Sequence, residues 1–175
     1  AEILTALGYD ERTVELARIS GFLHDIGNVV NRADHAQSGA IMAFQLLTAM
    51  GMPAKEVGYV VSAIGHHDES TAFPVNAIAA AVILADKSDV RRSRVRNKEN
   101  TAFDIHDRVN YAVEKSSLIL NRSAGTISLI LSIDTSICAV MDYFEIFLTR
   151  MMLSKRAAEY LGLSFKLEIN GTQFL

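Results

Sequence analysis

The sequence has one cysteine, no long apolar run and almost no excess of charge. Cys138 is the only cysteine among 175 residues, so an internal disulfide is excluded and a single thiol cannot form a thiolate metal site. We interpret it as a core residue. No apolar run approaches the ~18 residues of a membrane span, and no basic segment followed by an apolar stretch opens the chain. We therefore expect a cytoplasmic protein that does not associate with membranes.

The near balance of charge also limits the classes of partner. The net charge of −3 gives no general attraction to nucleic acid, so RNA is allowed only through a local basic patch. Half of the residues are hydrophobic and 21% are charged, a composition typical of a globular chain rather than of a disordered one. The length fits one core domain with a small appendage.

The first half of the chain has the periodicity of amphipathic helices. Its apolar residues recur three and four positions apart, with glycine-containing turns between the periodic segments. This pattern predicts four or five helices. It places His24 and Asp25 in the last turn of one helix, and it places His35 near the start of the next. His66 and His67 close a later helix.

The second half of the chain changes period. A basic and polar stretch from Lys87 to Asp107 marks a domain boundary, and alternation typical of strands follows it. The predicted elements are a strand from Val109 to Val113 that continues past a bulge near Ser116 and Ser117, a hairpin turn over 121–125, a strand over 127–133, a long amphipathic helix ending at Gly162, a strand over 165–169 and a turn at Asn170 and Gly171. We therefore predict a mainly α fold, with a helical bundle over residues 1–97 followed by a small α+β unit with antiparallel strands over residues 105–175. We assign the second unit to packing or homodimerisation.

Histidines at helix ends and one aspartate in an apolar helix point to a metal site. Imidazole and carboxylate are the ligands of borderline and hard divalent metals, and helix ends can converge. Asp86 interrupts an apolar helix, where an ionised carboxylate is costly to bury without a cation. Pairing with Lys87 or Arg91 is the alternative for Asp86, and helix capping is the alternative for each histidine taken alone. The combination of all of these residues favours a metal site.

Four motifs carry a resemblance to a known family. They are Gly-Phe-Leu-His24-Asp25-Ile-Gly, His35 with Gly39 four residues later, Ala-Ile-Gly-His66-His67, and Ala85-Asp86. Over residues 1–97 these motifs resemble the HD superfamily of metal-dependent phosphohydrolases. Their order and spacing are most similar to the catalytic domain of ribonuclease Y. The HD-GYP cyclic-dinucleotide phosphodiesterases share the paired histidines.

The resemblance implies a helical pocket that holds one or two divalent metals and activates water against a phosphate ester. The metal is not distinguished among Mn, Fe, Ni, Co, Zn and Mg. The implied roles are His24 and Asp86 on the first metal, Asp25 as the bridge, His35 with His66 and His67 on the second metal, and His24 and Asp25 as the catalytic pair. The family normally supplies one more histidine from the preceding helix, and we expect that residue upstream of Ala1 in a longer natural chain.

The basic cluster next to Asp86 offers phosphate recognition. Lys87, Arg91 and Arg94 follow within about two helical turns and are candidates to bind phosphate, since guanidinium groups bind it in bidentate fashion. A solvated loop is the alternative. The leading hypothesis is a hydrolase that acts on a small phosphorylated substrate: a nucleotide, a cyclic dinucleotide or an oligonucleotide. The second hypothesis is a degenerate HD module that binds a nucleotide or a protein partner without turnover.

Overall fold

The computed structural model describes residues 1–69, 72–90, 92, 95 and 105–175. Its helices are α1 (Glu2–Leu7), α2 (Glu11–Leu23), a short 3-10 helix (Ile26–Val29), α3 (His35–Ala49), α4 (Ala54–Gly65), α5 (Ala77–Ser88), α6 (Ile105–Ala112) and α7 (Val140–Tyr160). Its strands are β1 (Val113–Asn121), β2 (Thr126–Ile133), β3 (Ser164–Ile169) and β4 (Thr172–Gln173). No helix of the described ranges is long and apolar enough to cross a membrane.

The chain divides into two compact units. The first contains Ala1–Asp86 with Arg156–Gly162, and the second contains Lys87–Lys155 with Leu163–Leu175. The sequence predicted a boundary between residues 97 and 105, and most of that stretch lies outside the described residues.

The first unit is helical, as its periodicity predicts. The Asp10 side chain accepts a hydrogen bond of 2.9 Å from the backbone N–H of Thr13, which satisfies a free donor and starts α2. The helices bury their apolar stripes against one another. The core includes Leu4, Val14, Leu16, Ala17, Leu47, Val57, Val60, Ala63, Ile64 and Ile78.

The end of α2 differs from the prediction. The helix stops at Leu23, so His24 is its C-cap and Asp25 lies between α2 and the 3-10 helix. The turn that follows makes a close approach at Gly27. A Cβ atom at Gly27 would lie 2.6 Å from the backbone nitrogen of Gly39 and 2.6 Å from the hydroxyl of Ser38. Only a glycine allows the chain to pack so tightly against the first turns of α3.

The second unit contains a four-stranded sheet in the order β1-β2-β3-β4. The prediction of antiparallel strands holds for β1 with β2 and for β3 with β4, but β2 and β3 are parallel. The long helix α7 lies between these two strands in the chain, and a crossover of this kind is what a parallel pair requires. Tyr143, Phe147 and Met151 of α7 are fully buried, as are Ile127 and Leu129 of β2.

The strand predicted from Val109 to Val113 is also wrong. Residues 105–112 form α6, and β1 begins at Val113. Val109 and Ala112 are the buried residues of α6 and lie three positions apart. The segment therefore carried a helical spacing as well as the two-residue alternation from which a strand was predicted. The bulge in β1 lies between Val113 and Lys115 rather than near residues 116 and 117. The β2 alternation and the Asn170 turn, by contrast, are confirmed.

Candidate metal centre

Five of the six predicted ligands come together from four segments of the first unit. His24 caps α2 and Asp25 follows it, His35 is the first residue of α3, His67 lies just beyond α4, and Asp86 belongs to α5. The short turn after α2 and the start of α3 are held together by the close packing at Gly27 described above. The ends of the helices thus bring the side chains of distant residues together, as the helix-end pattern predicted.

The carboxylate of Asp25 lies at the centre of the group. Its Oδ1 is 3.3 Å from Nε2 of His35 and 3.8 Å from Nε2 of His67. Its Oδ2 is 3.7 Å from Nε2 of His24, which in turn is 3.7 Å from Oδ1 of Asp86. One ligand atom from each of His24, Asp25 and His67 falls within a single 4.8 Å cluster. The two oxygens of Asp25 therefore face different histidines.

Backbone carbonyls fix the orientation of the three imidazoles. In each ring the Nδ1 atom lies within hydrogen-bond distance of a carbonyl oxygen in the preceding turn. For His24, His35 and His67 these are the carbonyls of Gly21 at 2.8 Å, Arg32 at 3.0 Å and Ile64 at 2.6 Å. A carbonyl can only accept, so Nδ1 carries the proton and Nε2 is left to face the carboxylates. This is the usual arrangement of histidines that bind a metal.

The pair formed by His35 and His67 provides the sharpest test of whether a cation fits. Their Nε2 atoms are 3.1 Å apart, and the two side chains are 2% and 1% exposed. With both neutral rings protonated at Nδ1, two Nε2 lone pairs face each other away from water, an arrangement that a shared cation or one additional proton stabilises. Two imidazole nitrogens that share an ion at ~2.0–2.1 Å each are separated by about 3 Å. The residues present therefore fit a divalent metal.

The electrostatics of the group keep its central ligand ionised. When Nε2 of His67 also carries a proton, its hydrogen bond with Asp25, together with the charges of His24 and His35, outweighs burial and the charge of Asp86 and lowers the pKa of Asp25 to about 2. Burial lowers the pKa of His24, but hydrogen bonds with Asp86 and Gly21 and the charges of both carboxylates outweigh it and raise that pKa overall. The aspartate is thus ready to bind a cation at neutral pH without first losing a proton.

The remaining predicted site residues are placed differently. The Nδ1 atom of His66 lies 2.9 Å from the carbonyl oxygen of Ser62, and among the described residues the cluster of ligand atoms contains His67 and not His66. Lys87 is buried at 3% exposure and belongs to the second unit. Arg91 and Arg94 lie outside the described residues.

One residue at the site was not predicted. The Nη1 atom of Arg32 is 3.7 Å from Oδ1 of Asp25, 3.4 Å from Nε2 of His35 and 3.4 Å from the side-chain oxygen of Asn28. Its position between two predicted ligands in the sequence was the available signal, because a loop that joins Asp25 to His35 has to pass the site. Sequence periodicity says nothing about the direction of a loop side chain.

Comparison with family models supports the same interpretation. The model of the HD domain matches residues 1–112, and the chain therefore belongs to the HD domain family. HD domains bind divalent metals and are typically metal-dependent hydrolases. Comparison with curated proteins finds no match, and comparison with solved structures finds none either.

Proposed function

We propose that this chain is a phosphohydrolase that uses divalent metal to cleave a phosphate ester of a nucleotide, a cyclic dinucleotide or an oligonucleotide. The observation that carries the proposal is the buried pair of Nε2 atoms of His35 and His67, 3.1 Å apart and both beside the Asp25 carboxylate. In their neutral forms both rings use their single N–H at Nδ1, so a hydrogen bond between the two Nε2 atoms requires an additional proton on one ring, whereas a shared cation requires none.

The division of roles follows from the two sides of the Asp25 carboxylate. On the Oδ1 side, His35 and His67 would hold one cation, and on the Oδ2 side, His24 with Asp86 would hold a second. In this arrangement Asp25 would bridge the two positions. A divalent cation at such a site acidifies water and offsets the charge that develops on phosphoryl oxygens.

A gradient of exposure supports an approach of substrate from the side of Asp25. His35 and His67 are almost fully buried, His24 and Asp86 are about a fifth exposed, and Asp25 is 44% exposed. The buried histidines keep water away from the deep side of the site and hold their ring orientation. The open side lies at Asp25, and a phosphate group would approach there.

The substrate class rests on motif similarity and on the site chemistry. Both ribonuclease Y and the HD-GYP enzymes, which this sequence resembles, act on phosphodiesters, and a carboxylate-bridged pair of cations suits an in-line displacement at phosphorus. We therefore place phosphodiesters of nucleotides first among the substrates to be tested, followed by phosphomonoesters.

The proposal is tested by a hydrolysis screen of the protein purified without chelator. The screen covers nucleotides, cyclic dinucleotides, short oligonucleotides and phosphomonoesters, each with and without EDTA and with divalent metal added back. We expect hydrolysis that EDTA abolishes and metal restores, and that Asp25→Asn abolishes at every metal concentration. Protein that contains stoichiometric metal and hydrolyses nothing on this panel would overturn the proposal. Nucleotide binding without hydrolysis would instead support a degenerate binding module.

A further inference from the structure

The loop between Asp25 and α3 directs an arginine over the open side of the site. The Nη1 atom of Arg32 lies 3.7 Å from Oδ1 of Asp25 and 3.4 Å from Nε2 of His35, two of the atoms assigned above to cation binding. Its side chain is 66% exposed. The guanidinium group therefore lies at the edge where the site meets solvent, on the same side as the exposed Asp25.

The backbone at this position belongs to the site as well. The carbonyl of Arg32 accepts the Nδ1–H hydrogen bond of His35 at 3.0 Å, and the side chain of Asn31 accepts a bond of 3.0 Å from the backbone N–H of Ala33. The residues on either side of Arg32 are thus joined to each other by a hydrogen bond. The hydrogen bond to His35 therefore fixes the backbone from which the Arg32 side chain extends.

Two of the three contacts of the Arg32 guanidinium group are with atoms that a metal would use, and the third is with the side-chain oxygen of Asn28 at 3.4 Å. A cation bound to Asp25 and to Nε2 of His35 would take the carboxylate charge and the lone pair that the guanidinium group now contacts. Two positive charges at such a distance repel each other. An exposed arginine that keeps only the contact with Asn28 has donors left for an anion that enters from solvent and offers oxygens in the matching geometry.

We propose that Arg32 binds the phosphoryl oxygens of the substrate at the open side of the metal centre. The inference rests on the proposed function, since it assumes a phosphate substrate there. The guanidinium group would contact a non-bridging oxygen while the opposite face of the phosphate meets the metal position. Arg32 then sets the preference of the site for phosphate over uncharged esters. The competing explanation is that Arg32 only offsets the charge of Asp25.

The test compares phosphate binding in matched variants loaded with metal. Inorganic phosphate is titrated calorimetrically into wild type, Arg32→Gln, Arg32→Lys and the control Arg18→Gln, which removes an exposed arginine from α2. Metal content is measured for each protein, and KM and kcat are measured on the best substrate of the screen. Thermal unfolding checks that the exposed substitutions leave the fold intact.

We expect the dissociation constant of phosphate to rise about tenfold or more in Arg32→Gln, because a charge-assisted hydrogen bond contributes about that much. Arg32→Lys should retain part of the affinity, and Arg18→Gln should match wild type. KM should rise more than kcat falls, with metal content unchanged. Equal phosphate affinity in Arg32→Gln and wild type would overturn the inference, and so would a wild type that binds no phosphate. Intact phosphate binding without turnover would count against the proposed function alone.

Discussion

Replacing Gly27 with alanine tests how the fold positions the histidines. A methyl group there would lie 2.6 Å from the nitrogen of Gly39 and from the hydroxyl of Ser38, and closer still to the carbonyl oxygen of His35. Ordinary contact begins at 3.4 Å, so the Gly39 contact alone requires the two segments to separate by about 0.8 Å, the difference between 3.4 and 2.6 Å, and the closer contact with the His35 carbonyl oxygen requires more. Forced overpacking of this kind costs about 1–3 kcal/mol.

The same movement should weaken metal binding. His35 lies directly at the overlap, and its Nε2 atom is 3.3 Å from Oδ1 of Asp25. Displacing α3 from the turn that carries Asp25 lengthens this distance and breaks the preformed geometry. Loss of support for metal ligands typically lowers metal affinity about 10- to 100-fold. Urea unfolding of the metal-free protein gives the first quantity, and a metal titration gives the second.

Gly58→Ala is the matched control for the substitution at Gly27. Gly58 lies within α4, and beyond its own helical backbone no atom of the described residues comes within 4 Å of the place that an added methyl group would take. Alanine should therefore stabilise the protein by about 0.5–1 kcal/mol through helix propensity. The reasoning is refuted if Gly27→Ala unfolds at the same urea concentration as wild type and binds metal equally well.

Three further predictions concern the stability of each unit. Ile64→Ala, at a fully buried position, should lower the free energy of unfolding by about 2–5 kcal/mol. Its control Ile41→Ala, at a position that is 63% exposed, should change that free energy by less than about 0.5 kcal/mol. Equal urea midpoints for the two variants would contradict the predicted difference. Hydrogen bonding with Arg12 lowers the pKa of Glu56. The stability advantage of wild type over Arg12→Gln should therefore be present above pH 4.5, the ordinary pKa of a glutamate, and should be lost as the pH falls below it. A stability advantage that grows in acid would contradict the pairing. Asn170→Ala removes two side-chain bonds of 2.8 and 2.9 Å to the backbone at the end of β2 and should cost about 1–3 kcal/mol by thermal unfolding, a loss that an unchanged melting temperature would disprove.

The helical half of the fold and most of the site could be predicted because their signals are local. Asp10 marks the start of α2 by its capping chemistry, and residues of α4 repeat every three or four positions up to Gly65. The His24 and Asp25 motif indicates two of the candidate ligands directly. None of these inferences requires knowledge of which segments meet.

The choice between His66 and His67 could not be made from the sequence. The two are adjacent, and the chain leaves helical geometry there, with φ of −113° at His66. The direction of each side chain then depends on the turn after α4 rather than on helical period. Arg32 was missed for a similar reason, because the side chain of a loop residue has no periodic pattern to place it.

The strand pairing of the second unit also depends on tertiary structure. Alternation in β2 predicts a strand with one buried face, but it carries no information on which neighbour it joins or in which direction. The segment from Val109 to Val113 satisfied both the helical and the strand pattern. Short apolar segments of this kind are decided by packing, and here α6 ends where β1 begins.

The most direct test of the central claim is an equilibrium titration of Mn²⁺ into chelator-treated wild type, His67→Ala and His66→Ala. The two variants differ only in which of two neighbouring histidines is removed. The account predicts that wild type binds the metal, that His67→Ala loses affinity by about tenfold or more, and that His66→Ala retains it, since only His67 belongs to the cluster found among the described residues. Wild type that binds no divalent metal, or a loss confined to His66→Ala, would contradict the account.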